Sequence, residues 1–252
     1  MGTCSSDNGR NYFELCNEAL DIMFYSPAET FDDLDTTEGR LVKRLMNSNL
    51  REICYGEKGI WKFREDSRNF YTVAGQSKYS LPDGYILFIR PNDNSNRIPL
   101  IYNEEWQFLP MTATGTPVQY WIYENKINLF PTPSKSTDGV LHTIRYLKNN
   151  LAKDSNGNEK LYMSEEGDTP IIPEEYRSLL VYGTCRDFRR KRGDAKASYF
   201  KDEYNELYMS MLDNQRLTDD YIAGGKVGGY PMSTLQARIQ AFYNPYVTGD
   251  GK

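Results

Sequence analysis

"FYTVAGQSKYSLPDGYILFIRP", residues 70–91, reads as two strands joined by a tight connection, with an aromatic side chain at almost every place a strand could use one. The texture around it continues from about Gly59 to Met163, where periodicity is two and turn residues recur every eight to twelve positions. "VQYWIYENKINLFPTP", residues 118–133, alternates Val118, Tyr120 and Ile122 against Trp121 and Tyr123, then turns through Glu124, Asn125 and Lys126 into Ile127, Leu129 and Phe130. "GVLHTIRYL", residues 139–147, is a further strand, and "LAKDSNGNEKLYM", residues 151–163, reads as a hairpin with a tip of turn-forming residues at 154–158. These stretches predict an antiparallel β sandwich or small barrel over 59–165.

The flanks have a different period. In "NYFELCNEALDIMFY", residues 11–25, Phe13, Cys16, Leu20, Met23 and Phe24 recur at helical spacing, and Pro27 ends the run. Thr36 or Thr37 then caps a second helix carrying Leu41, Leu45, Met46, Leu50, Ile53 and Cys54 on one face as far as Gly56. Beyond the β region, Pro173 suits a first helical position. Leu179, Leu180, Tyr182, Cys185 and Phe188 follow it, and Gly193 stops that helix. Another helix carries Tyr199, Phe200, Tyr204, Leu207, Tyr208, Met211 and Leu212. Each stripe is too narrow to stand alone, so the two flanks, 11–58 and 166–217, are expected to pack on each other with the β module inserted between them. The fold class is α+β. After Leu217 comes a glycine-rich linker, "IAGGKVGGYP", and then "STLQARIQAFYNPYV" with Leu235, Ile239 and Phe242 on one helical face. Residues 218–252 therefore read as a tether with a docking arm.

Composition excludes several classes. The four cysteines have no CxxC spacing, which argues against a disulfide framework or a zinc site. No apolar run approaches a membrane span, and "MGTCSSDNGR" has no apolar signal core, so the chain reads as soluble and unexported. A net charge of −5 disfavours wholesale wrapping of nucleic acid and leaves any such contact to a local patch. Twenty tyrosines stand out, and tyrosine, apolar along its ring with a polar tip, favours interfaces.

Chemistry-bearing motifs are sparse. The single histidine, His142, lies inside a strand and reads as structural, and neither HExxH nor a phosphate-binding loop is present. "DSNGNEKLYMSE" offers Asp154, Asn156, Asn158 and Glu165 at calcium-loop positions, but Glu159 stands where the loop needs glycine and strands flank it, so it reads as a hairpin tip. "FDDLDTTEG", residues 31–39, places carboxylates before a helix N-terminus, where negative charge is favourable without any catalytic role. No cofactor is implied. The dense run Arg186, Arg189, Arg190, Lys191 and Arg192 ends a helix, where it stabilises the helix dipole or meets phosphates or an acidic partner.

Taken in order, the N-terminal helical segment, "WKF" at 61–63, "VAGQSKYSLPDGY" at 73–85, "INLFPTP" at 127–133 and "IPEEYRSLLVYG" at 172–183 resemble the head-to-tail adaptor proteins of tailed bacteriophages. That family includes tail tubular protein A, gatekeeper-type connectors and the ring proteins of crAss-like phages. The likeness covers about residues 11–217, and the tail from 218 departs from it. It implies a structural virion protein rather than an enzyme, assembled in the host cytoplasm: a ring, twelve-fold like the portal, that sits on the portal vertex, passes double-stranded DNA without gripping it, and carries the next tail or ring protein or fibres. It also implies portal docking by Leu235, Ile239, Phe242 and Tyr243. Tyr71, Tyr79, Trp121 and Tyr123, with Phe70, Tyr85 and Phe88, would divide between the β core and contacts between copies. No membrane partner is implied. Two rivals stand beside it: a carbohydrate-binding module stacking sugars on Trp106, Trp121 and tyrosines, and a nucleic-acid regulator using the basic helix end.

Overall fold

The computed structural model describes residues 9–56, 60–92, 97–101 and 103–217, with 103 and 104 through their backbone alone. Within it the chain forms two compact units, one from the segments ending at Arg64 and running from Asn150 to Leu217, the other Glu65–Asn149. The class is α+β.

In the first unit, α1 (Tyr12–Ile22) opens on a reciprocal cap: Asn11 Oδ1 accepts from the Glu14 amide at 3.0 Å, and Glu14 Oε2 accepts from the Asn11 amide at 2.8 Å. Helix α2 (Thr37–Tyr55) is capped by Thr36, whose Oγ1 accepts from the Gly39 amide. A single 3₁₀ turn, Glu174–Tyr176, follows Pro173, so α3 begins only at Ser178 and runs to Lys191. Gly193, at φ 69°, turns the chain into α4 (Ala197–Gln215). One core joins the two sequence-distant flanks: Leu15, Cys16 and Ala19 of α1, Met46, Leu50 and Ile53 of α2, Leu179, Leu180 and Phe188 of α3, and Phe200, Tyr204 and Met211 of α4. The α1 stripe differs from the sequence reading. Phe13 is only half-buried and Phe24 is 85% exposed, because Tyr12, Leu15 and Ala19 supply the buried face instead.

The second unit holds two three-stranded antiparallel sheets. In one, β1 (Glu65–Tyr71) and β3 (Gly84–Pro91) flank β8 (Leu141–Lys148). The other places β6 (Lys126–Phe130) between β2 (Lys78–Ser80) and β5 (Gln119–Tyr123). Residues 70–91 therefore do not form a local hairpin: the two long strands are separated by β8, and the short strand between them leaves for the other sheet. Local pairing is real at β5–β6, where Glu124 and Asn125 sit at φ 51° and 57°, the left-handed pair a two-residue hairpin turn requires. Between the sheets lie Tyr79, Ile86, Ile89, Tyr120, Ile127, Leu129 and Ile144. One small pair, β4 (Thr114–Gly115) with β7 (Thr132–Pro133), is parallel, a departure from an all-antiparallel module.

The unit boundary corrects the expected 59–165 module at both ends. Trp61, Leu151, Ala152 and Met163 are buried in the helical core. The short strands β9 (Ala152–Lys153), β10 (Glu159–Lys160) and β11 (Thr169–Pro170) pair among themselves and go with the helices. Asn47 of α2 fastens this segment, its Nδ2 donating to the Met163 carbonyl at 2.9 Å and its Oδ1 accepting from the Met163 amide at 3.0 Å. A period of two announces a strand but not which core it serves.

Candidate functional site

The basic run closing α3 was the densest charge in the sequence, and the fold spends most of it internally. Arg186 forms a two-pronged pair with Asp187 at 2.9 and 3.1 Å, reaches Asn49 Oδ1 at 3.3 Å and lies over the Tyr204 ring. Arg189 donates to Asp194 at 2.8 Å and to the Met23 carbonyl, tying α3 to the end of α1. Arg192 donates to Glu38 and to the Tyr25 hydroxyl and covers the Phe188 ring. Arg190 points outward with 73% of its side chain exposed, 3.4 Å from Asp187, and Lys191 is exposed. The exposed part of the cluster is thus Arg190 and Lys191, with Arg192 exposed but paired, joined by the exposed Lys196.

The aromatic set of the β unit also divides. Tyr79 is withdrawn from any surface role: its ring is in the core and its hydroxyl accepts from the Val73 amide while donating to the Gln76 carbonyl. Trp121 is buried, stacked parallel to Trp106 at 5.8 Å, with Tyr123 against the same indole at 5.2 Å. Both fall on the core side of the expected division. Phe88 is buried under Arg97, and Phe70 packs between Tyr79 and His142. Tyr71 and Tyr123 do face solvent, at 61% and 47%, together with Phe108 at 87%, which the sequence reading passed over. A sugar platform needs coplanar open faces, whereas Trp106 and Trp121 stack face to face and Trp121 is buried.

His142 is buried, its Nδ1 3.1 Å from the Val140 carbonyl and its ring on Phe70, a structural setting. The Asp154 loop is a closed hairpin tip. Asp154 Oδ1 accepts from the amides of Asn156 and Asn158, Oδ2 accepts from the Asn158 side chain, and these bonds hold its carboxyl below the ordinary range. Glu165 pairs with Lys160 instead. Among the described residues no group of three or more His, Cys, Asp or Glu is placed to share a metal ion. Cys16, Cys54 and Cys185 are buried free thiols, pushed up to about 12 by burial and so poor nucleophiles; Cys4 lies outside the described residues. Leu235, Ile239, Phe242 and Tyr243 lie outside the described residues as well.

Sequence reasoning missed the polar interior of the helical unit. Asn49 is fully buried, donating to the Leu45 carbonyl and to Asp187 Oδ2. Arg64 is buried with Nη1 donating to the Cys54 carbonyl and its guanidinium over Tyr55. Asp168 is buried where Lys160 and the Ser164 and Glu165 amides converge. Burial alone would raise its pKa, but Lys160 first and then the two amides outweigh it and hold the carboxyl below the usual range. Nothing in a single sequence marks which polar residues turn inward.

Paired charges secure one unit, and exposed aromatics mark the other. The SU10 adaptor protein family matches residues 10–227, most of the chain and both units, and the chain belongs to that family. A phage adaptor is a structural role, in keeping with these surfaces. A comparison with curated proteins returns no match. Among the described residues no helix is long and apolar enough to cross a membrane.

Proposed function

We propose that this adaptor, of the tail tubular protein A or gatekeeper kind, closes into a ring of twelve copies on the portal vertex of a tailed phage head, lengthens the DNA channel and presents the platform for the next tail or ring protein. Membership of the adaptor family across both units is the observation that carries this reading. Two features support it. The net charge of −5, with most of the α3 cations neutralised inside the fold, suits a lumen through which DNA slides without being held. Exposed Tyr71, Tyr123 and Phe108 suit the half-wet contacts by which neighbouring β units of a ring would touch.

On the same reading, Leu235, Ile239, Phe242 and Tyr243 dock the arm on the portal, and repeating that weak contact around a ring multiplies its strength. Deleting residues 223–252 tests it. The expected result is a folded chain that no longer sediments with portal-bearing heads, and retention equal to the full chain would refute the docking arm. A nucleic-acid regulator would show steep salt-dependent binding of free DNA, whereas the ring reading expects weak binding at physiological salt.

A further inference from the structure

Phe24 is out of place by two physical measures. Its ring is 85% exposed although it ends an apolar helix stripe, and its backbone sits at φ 64°, a left-handed conformation that an aromatic residue adopts at a cost. At this left-handed turn consecutive residues meet different partners. Tyr25 goes inward, edge-on to Phe188 and bonded to Arg192. Phe24 goes outward to the start of α4, where Lys196 Nζ stands 5.7 Å from its ring centre. Exposed Arg190 and Lys191 end the neighbouring helix, whose Arg189 holds the Met23 carbonyl. The result is an apolar knob with a cation beside it.

On the Tyr25 flank of the same unit lies a groove of about 540 Å³. Leu20, Pro27 and Leu34 line it, and Glu29, Asp33 and Glu38 supply its carboxylates. Glu38 is already paired with Arg192. Asp33 accepts from Thr30, whose hydroxyl and amide hold its carboxyl below the ordinary range. Knob and groove match in polarity and are opposite in charge. A head-to-tail contact between copies needs that complementarity, since each copy then presents both halves.

We infer that Phe24 of one copy seats in the Leu20–Pro27–Leu34 groove of the next, with Lys196, Arg190 and Lys191 facing Glu29 and Asp33 across the joint. This rests on the ring reading and adds to it the residues of one inter-copy contact in the helical unit. Phe24→Gly removes the knob while glycine keeps the left-handed turn at no steric cost. The variant is expected to unfold at the same temperature as the parent, or higher, and to lose at least about tenfold in assembly with portal, the scale on which a central buried aromatic contributes to an interface.

The direct test places a photo-crosslinking phenylalanine analogue at position 24 of the full chain and assembles it with portal from a mixture of heavy- and light-isotope copies. Heavy-to-light crosslinks from position 24 to residues 20–38 are the expected result. Assembly that proceeds with crosslinks to portal, or to other parts of a neighbouring copy, overturns this contact alone. A chain that binds portal in single copies, or not at all, overturns the ring and this contact with it. Unimpaired assembly of Phe24→Gly also overturns the contact.

Discussion

The two units hold themselves together by different means. The helical unit buries charge and amide groups and pairs them: Asn49, Asp187 and Arg186 form one network, Arg64 reaches a carbonyl at the end of α2, and Asp168 gathers Lys160 with two amides. The β unit rests on a smaller set of aliphatic and tyrosine side chains between two sheets, with Thr72, Asn128, Thr137 and His142 buried beside them, while several large apolar residues stay outside. Buried polar networks are unforgiving, because removing one member strands the others, whereas an aliphatic core loses roughly what is deleted. The helical unit is therefore suited to fixed geometry.

The comparison breaks most readily at Gly183. A Cβ there would overlap Asn49 Oδ1 and lie 2.9 Å from Asn49 Cγ, beside Tyr204. Gly183→Ala is expected to cost the helical unit about 3 kcal/mol, the upper range for overpacking, read by chemical denaturation with far-ultraviolet dichroism. A cost under about 0.5 kcal/mol would show that the network yields. Asn47→Ala comes next. Losing both bonds to the Met163 backbone should cost about 2 kcal/mol and speed proteolysis within residues 151–165. Tyr79→Phe probes the β unit, where the lost hydroxyl bonds should cost about 1 kcal/mol, a smaller penalty because the ring remains packed.

Acid sharpens the contrast. Because the folded-state pKa of Asp168 lies below its unfolded value, its stabilisation is complete above about pH 4 and is lost as pH falls through the folded value. The helical unit should therefore lose stability in that range, and Asp168→Asn should flatten its stability-against-pH curve there. An unchanged curve would remove Asp168 from the account. The smallest effect is a gain: Asn125→Gly, at φ 57°, should stabilise the β5–β6 hairpin by about 0.5 kcal/mol.

What was legible in the sequence follows from range. Helical stripes such as Leu45, Met46, Leu50 and Ile53 repeat within a few residues, so α2 and its buried face could be read directly. The Glu124–Asn125 turn and the Asp154 hairpin tip are local chemistry and were equally plain. Pairings over long separations were not: nothing in residues 70–91 says that β8 will come between β1 and β3. Local alternation could not assign Trp61, Leu151 and Met163 to the helical core. The charge run 186–192 was visible as charge, but its partners Asn49, Glu38 and the Met23 carbonyl lie on other elements, so internal stapling looked the same as a free binding face.

The account turns on many copies meeting one another on a portal. Native mass spectrometry of the purified chain mixed with portal assemblies tests this directly: it predicts a discrete complex carrying twelve copies per portal assembly. Portal that stays bare, or that carries one isolated copy, would contradict it.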